Sequence, residues 1–96
     1  MAKLYEKISK RNKNSSNDQE FEVYTTDDFN DNKMRMYSQV PKIKKESEII
    51  SEIKKGTDYR TDDKTPVSVG VRESVEYIHS IKNGTTNDNI LNLPTY

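Results

Sequence analysis

The sequence contains no cysteine and no tryptophan, and it has one alanine, three glycines and three prolines in 96 residues. Without cysteine there is no disulfide, no thiolate metal site and no cysteine nucleophile. The glycines stand alone at Gly56, Gly70 and Gly84, so no glycine-rich phosphate loop is present. These absences exclude disulfide scaffolds, cysteine-zinc proteins and P-loop nucleotide-binding proteins.

Long hydrophobic runs are also missing from the sequence. No stretch has the length of a signal peptide core or of a membrane-spanning helix. We therefore expect a cytoplasmic protein with no membrane association, and a virion is the second location that the sequence allows.

Apolar residues are scarce overall. Leu, Ile, Val and Phe together number 19, about one fifth of the chain, while 33% of residues are charged. A chain of this length forms at most one domain, and its core is expected to be thin. The composition therefore predicts a protein that completes its fold by docking on a larger partner or in an oligomer.

The formal net charge is zero, but the charges lie in blocks along the chain. Residues 1–16 are strongly basic and residues 17–32 strongly acidic, and such blocks can pair within one fold or between subunits. The expected organisation is a basic N-terminal arm over 1–18, a single small α+β domain over 19–84 and a C-terminal apolar tail over 85–96.

Two segments alternate between apolar and polar residues, as half-buried strands do. They are Glu20–Thr25 and Lys33–Val40, and the polar residues 26–32 between them are typical of a turn. The sequence thus predicts a small β-hairpin over about 20–40.

Two further segments show the spacing of amphipathic helices. The first covers about 41–55, with Pro41 in its first turn and Gly56 just past its end. The second covers about 71–83, with an apolar stripe that begins at Val71. The predicted fold is α+β, with the hairpin followed by the two helices; the alternative is the same elements in an extended chain wrapped around a partner.

The sequence offers no convincing catalytic set. His79 is the only histidine, and it has neither a cysteine nor a glycine-framed serine with which to act. Asp28 and Asn30 have the spacing of calcium ligands, but Lys33 stands where an EF-hand loop needs glycine. We expect no enzymatic activity, no cofactor and no metal site.

The leading hypothesis is a non-enzymatic structural or interaction protein that binds a protein partner or forms a homo-oligomer. A composition rich in Asn, Lys and Ile is typical of AT-rich coding genomes, which suggests a small accessory or virion component of a phage or another mobile element. The residues expected to bind the partner are apolar positions of the two predicted helices and of the tail: Ile43, Ile50, Ile53, Val75, Ile78, Ile90, Leu91, Leu93 and Tyr96.

Two alternatives use charge instead of apolar surface. One is an inhibitor whose acidic 17–32 segment mimics nucleic acid. The other is a nonspecific nucleic-acid-binding protein that contacts phosphates through the basic residues of the first block and of the first predicted helix: Lys3, Lys7, Lys10, Arg11, Lys13, Lys42, Lys44 and Lys45.

Overall fold

The computed structural model describes residues 3–14, 18–35, 40–81 and 88–96. Within these residues no helix is both long and apolar enough to cross a membrane. The described elements are six strands and two short helices: β1 (Leu4–Arg11), β2 (Glu20–Asp27), α1 (Asp28–Asn32), β3 (Lys42–Lys45), α2 (Glu46–Lys54), β4 (Tyr59–Thr61), β5 (Ser68–Arg72) and β6 (Val75–His79).

Four strands form one sheet in the order β3-β2-β1-β4, and β5 pairs with β6 in a second, two-stranded sheet. β1 is antiparallel to β2 and parallel to β4, and the β1–β2 register shifts between Ile8 and Lys10. Ile8 lies opposite Val23, and both are fully buried. Because side chains alternate along a strand, this pair fixes which face of the sheet is apolar.

The hydrophobic core combines that face with α2, the second sheet and the C-terminal segment. Burial of apolar surface is the main stabilising contribution available to so short a chain. The core consists of Ile8, Phe21, Val23, Ile49, Ile50, Tyr59, Val67, Ile78, Ile90 and Leu93.

The predicted α+β fold is wrong, because the structure is mostly β. The hairpin over about 20–40 does not form. Its first half is the strand β2, but β2 pairs with β1 and β3. Of the residues predicted to form the hairpin turn, 28–32 form the helix α1 instead, and Asp27 is the N-cap that accepts a hydrogen bond from the Asn30 amide. Of the predicted second strand, residues 33–35 follow α1, and residues 36–39 lie outside the described part of the chain.

The helix predicted over about 41–55 is shorter than expected, because its first third is the strand β3. β3 pairs with the acidic strand β2, and Lys42 and Lys44 form ion pairs with Glu6 and Glu52 at 3.3 and 3.0 Å. Local helical spacing is thus overridden by a non-local strand partner. The helix begins only at Glu46, whose backbone N–H donates to the Gln19 carbonyl oxygen.

The helix predicted over about 71–83 does not exist. β5 and β6 form a hairpin there, and residues 82–83 lie outside the described residues. Glu73 and Ser74 make the turn with positive φ values of 51° and 66°. A two-residue turn with both central residues in this region matches the twist of the strands, but it favours Asn-Gly, and Glu-Ser gives no such signal in the sequence.

Replacing the turn residues by Asn-Gly is therefore expected to stabilise the protein. The double variant Glu73→Asn, Ser74→Gly should raise the free energy of unfolding by about 1 kcal/mol, since left-handed backbone is costly for residues with a Cβ atom. For a domain of this size that corresponds to a rise in melting temperature of about 4–8 °C in a thermal melt followed by circular dichroism. An unchanged or lower melting temperature would show that the turn is not strained.

Candidate functional site

A surface cleft of about 500 Å³ lies between the second sheet and the C-terminal segment. Its size is within the range of ligand-binding sites in proteins. Apolar and charged side chains from five parts of the chain line it: Arg11, Gln19, Phe21, Glu46, Arg72, Glu73, Val75, Tyr77, Ile78, Asp88, Ile90 and Leu91.

The hairpin contributes Val75 and Tyr77 to this cleft. Tyr77 lies opposite Gly70 in the strand register, and a Cβ atom on Gly70 would come within 2.7 Å of the Tyr77 Cζ atom. That separation is below any normal contact, so only glycine lets the ring occupy this position. Tyr77 thereby extends the apolar surface that Val75, 65% exposed, begins.

The C-terminal segment is held on the other side by Asp88. One oxygen of its carboxylate accepts hydrogen bonds from the backbone N–H groups of Ser80 and Ile90 at 2.8 and 3.0 Å. Ile90 is buried in the core, whereas the next side chain, Leu91, is 65% exposed. The segment therefore anchors itself through one residue and presents the following one at the cleft.

The same segment is fastened at a second point by Asp63. The Asn89 side-chain amide donates to both oxygens of the Asp63 carboxylate, at 3.0 and 3.1 Å. Partial burial acts to raise the pKa of Asp63, but hydrogen bonds from Thr65 and Thr61 outweigh it and hold that pKa below its ordinary value. The Asp63 carboxylate therefore stays ionised near neutral pH, so both of its oxygens accept the hydrogen bonds from Asn89.

Arg11 is the half-buried cation of the cleft. It is the last residue of β1, and its backbone is bonded to the C-terminal segment: its N–H donates to Pro94 and its carbonyl accepts from Tyr96, both at 3.0 Å. The side chain is half-buried, and its Nε atom is buried without a hydrogen-bond partner. A buried donor without an acceptor costs about 1–3 kcal/mol, which makes this guanidinium the polar group of the cleft with unmet bonding capacity.

Four of the nine residues expected from the sequence to bind a partner come together in this cleft. Val75 and Ile78 were predicted to lie on the helix over about 71–83, but the structure places both on the strand β6. The four are Val75, Ile78, Ile90 and Leu91.

The other five lie outside its lining. Ile50 and Leu93 are buried in the core, and Ile53 packs against it. Ile43 is exposed on β3, away from the cleft. Tyr96 is half-buried, and its backbone pairs with β1.

The basic residues considered for nucleic-acid binding are dispersed by the fold. Strand alternation places Lys7 on one face of the larger sheet and Lys42 and Lys44 on the other. All three form ion pairs with carboxylates of the same chain. Arg11 lies in the cleft, and Lys3, Lys10, Lys13 and Lys45 are exposed.

A second polar cluster lies on the opposite face of the larger sheet. Asp31 is 8% exposed and accepts hydrogen bonds from the Tyr5 hydroxyl and from Lys7, the latter at 2.8 Å. The guanidinium of Arg60 stacks over the Tyr5 ring at 4.1 Å. Burial, reinforced by the neighbouring Asp31, raises the pKa of Tyr5 well above its ordinary range. This cluster joins α1 to β1, and we interpret it as structural.

Sequence reasoning missed Phe21, Arg72 and Tyr77 as members of the cleft, and it considered Arg11 only as a phosphate contact. Tyr77 lies seven residues beyond Gly70 in an alternating segment, which is the one local signal that could have suggested a close approach of ring and backbone. Phe21 and Arg11 meet through the β1–β2 register, which only the three-dimensional pairing reveals.

The fold and the cleft define a small, mainly β domain with a four-stranded sheet, a separate hairpin and a largely apolar groove between that hairpin and the C-terminal segment. The chain belongs to the DUF3892 family, described as a protein of unknown function, which matches residues 7–94. The matched range contains all the residues that line the cleft. No curated protein and no solved structure gives a significant match.

Proposed function

We propose that this chain is a non-enzymatic protein-interaction domain that binds an extended segment of a protein partner in the cleft. The observation that carries the proposal is the joint placement of Val75 and Leu91, each 65% exposed, beside a cleft of about 500 Å³. A single exposed apolar residue is ordinary, but grouped exposed residues at a concave surface are typical of interaction sites.

The chemistry of the cleft favours binding over catalysis. Its described lining contains no serine, threonine, cysteine, lysine or histidine that could act as a nucleophile or as a conventional base. Two of its acids are occupied by the protein itself, because Glu46 accepts from the Ile78 N–H at 3.1 Å and Asp88 accepts two backbone N–H groups. The site therefore offers apolar contact and the two cations Arg11 and Arg72 rather than an acid–base pair.

The proposal retains the protein partner that the sequence predicts. It places the contact in the cleft alone instead of on two helices and the C-terminal tail. Ile50 and Leu93 lie in the core of the chain itself, so they support the fold instead of the partner. Val75 and Leu91 are free to contribute area to a complex at little cost to stability, since both are already mostly exposed.

The test is selection from a display library of random linear peptides on the immobilised protein. We expect wild-type protein to enrich peptides with alternating apolar residues, and the Leu91→Asp variant to lose this enrichment. Ile43→Asp is the matched control, because Ile43 is likewise an exposed aliphatic residue, 48% exposed, but lies on β3 outside the cleft. The control should enrich the same peptides as wild type.

Two results would contradict the proposal. One is the absence of enriched peptides, or enrichment that Leu91→Asp leaves unchanged. The other is self-association in light scattering that Leu91→Asp abolishes, since the occupant of the cleft would then be a second copy of this chain. Thermal melts of both variants should match wild type, because neither substituted side chain is buried.

A further inference from the structure

We infer that the partner segment carries an aspartate or glutamate side chain that binds the Arg11 guanidinium, between apolar residues that contact Val75 and Leu91. This inference rests on the proposed function and specifies the chemistry of the partner.

The first argument is that Arg11 is both rigidly placed and unsatisfied. Its backbone is bonded on both sides by the C-terminal segment, and it lies opposite the fully buried Phe21 in the β1–β2 register. Its side chain makes no ion pair within the described part of the chain, and its Nε atom is buried without an acceptor. Because the Nε atom is buried, a planar anion would approach the outer end of this half-buried side chain, where the two Nη groups can donate two hydrogen bonds to it.

The second argument comes from the other half-buried basic side chains. Lys7, Lys44 and Arg60 are each paired with carboxylates of the chain, at distances of 2.8, 3.0 and 3.0 Å. Lys64, which is also half-buried, forms no ion pair within the residues that the structure describes and donates to the Asn32 side-chain oxygen instead.

The two arginines of the cleft are not paired with carboxylates among the described residues, and Arg72 only approaches the Tyr77 ring, at 5.7 Å. Each half-buried lysine or arginine outside the cleft thus has a side-chain acceptor within the chain, whereas Arg11 has no ion pair in the described part of the chain and an unsatisfied Nε atom, which leaves it for a partner.

The third argument concerns the acids of the cleft, which do not neutralise Arg11. The Glu46 and Asp88 carboxylates are occupied by backbone N–H groups. Glu73 lies at the strained hairpin turn. These acids nevertheless surround the site with negative charge, so a ligand needs apolar contacts in addition to its anionic group, and a simple inorganic anion does not meet that need.

A carboxylate could come from a side chain or from a peptide C-terminus. Proteins that capture a C-terminus use clustered backbone N–H groups in addition to a cation. In this cleft the N–H groups of Ile78 and Ile90 are already bonded to Glu46 and Asp88. The structure therefore favours a side-chain carboxylate within an extended segment.

The experiment uses the peptides selected on the wild-type protein. We expect them to share an acidic position flanked by aliphatic residues. Replacing that acid by its amide should weaken binding to wild type at least tenfold, measured by fluorescence polarisation, and should leave binding to Arg11→Met nearly unchanged. Lys10→Met is the matched control, because Lys10 is the exposed neighbour on β1, and it should retain the full effect of the acid.

The outcomes separate the two proposals. Peptides that depend on Leu91 but show no preference for an acid would overturn this inference and leave the proposed function intact. Loss of binding when the peptide C-terminus is amidated would also overturn it, because the terminal carboxylate would then be the recognised group. If Arg11→Met does not fold, the acid-to-amide comparison on wild-type protein still decides whether an acid is recognised, and the same comparison on Arg72→Met, which should keep the full effect of the acid, separates Arg11 from the other arginine of the cleft. The absence of any Leu91-dependent peptide would contradict the proposed function itself.

Discussion

Replacing Ile49 by alanine is expected to lower the free energy of unfolding by about 2–5 kcal/mol. Ile49 lies on α2, is fully buried and belongs to the core cluster that joins the helix to the larger sheet. The substitution removes buried methyl groups and leaves a cavity that the surrounding strands can close only in part. Small domains have a total stability of about 5–15 kcal/mol, so the melting temperature should fall by about 10 °C or more.

Ile43→Ala provides a control with the same chemical change. Ile43 is 48% exposed on β3, so its truncation should cost well under about 1 kcal/mol. Chemical denaturation of both variants measures the difference directly. Equal losses at the two positions, or a negligible loss at Ile49, would show that α2 does not pack on the sheet as described.

Replacing Asp31 by alanine is the second change with a large expected effect, about 3 kcal/mol of unfolding free energy. Asp31 is 8% exposed and accepts hydrogen bonds from Tyr5 and Lys7. Its removal leaves a Lys7 ammonium, whose side chain is 12% exposed, with only the more distant Asp62 carboxylate at 3.7 Å. A buried charge without a close partner is far more costly than an exposed one.

Asp28→Ala is the matched control on the same short helix. Its carboxylate is largely exposed and pairs with Arg60 at 3.1 Å, and exposed pairs of this kind contribute about 0–1 kcal/mol. Urea denaturation should therefore show a loss at position 31 at least twice that at position 28. A larger loss at Asp28 would assign the structural role to the Arg60 pair instead.

The Asp31 interaction should also depend on pH in a defined direction. Burial acts to raise the pKa of Asp31, but the hydrogen bonds from Lys7 and Tyr5 outweigh it and keep the pKa below its ordinary value of 3.8. A carboxylate with a lowered folded-state pKa stabilises the protein above that value and loses its contribution as the pH falls through the folded-state pKa. The stability difference between wild type and Asp31→Asn should therefore be largest near neutral pH and should shrink below about pH 4; a difference that does not shrink would contradict this role.

The strand β2 and the helical character of residues 46–54 could be read from the sequence, because each has a clear local period over its length. The neighbours of β2 could not, since residues 3–13, which contain β1, carry five cations and resemble a solvated arm. In the structure Lys7 of that strand is neutralised by Asp31 and Asp62, which come from distant parts of the chain. Only this long-range pairing makes a basic strand suitable for the interior of the sheet.

The segment after Val71 shows a different kind of failure. Val71, Val75 and Ile78 have helical spacing, but Val and Ile are also favoured in strands. The turn that separates β5 from β6 consists of Glu73 and Ser74, which carry none of the usual hairpin signals. The helical spacing of Val71, Val75 and Ile78 was therefore coincidental. The left-handed conformation of Glu73 and Ser74 could not be predicted from their residue types.

Of the residues that line the cleft, the sequence indicated only apolar ones as partner-binding residues. Val75 and Leu91 are apolar residues in a polar chain, which made them candidates. Their proximity, however, depends on the register of the hairpin and on the hydrogen bonds by which Asp88 holds the C-terminal segment. The lack of an acceptor for the Arg11 Nε atom depends on which side chains the fold brings close to it, and this cannot be read from a sequence pattern.

Titration of a selected acidic peptide into isotopically labelled protein, followed by amide chemical shifts, tests the central claim most directly. The account predicts that the shifted amides cluster at Arg11, Val75, Tyr77 and Leu91, and that Ile43 and the rest of β3 remain unchanged. Shifts confined to β3 or to the exposed side of α2, with the cleft unaffected, would contradict it.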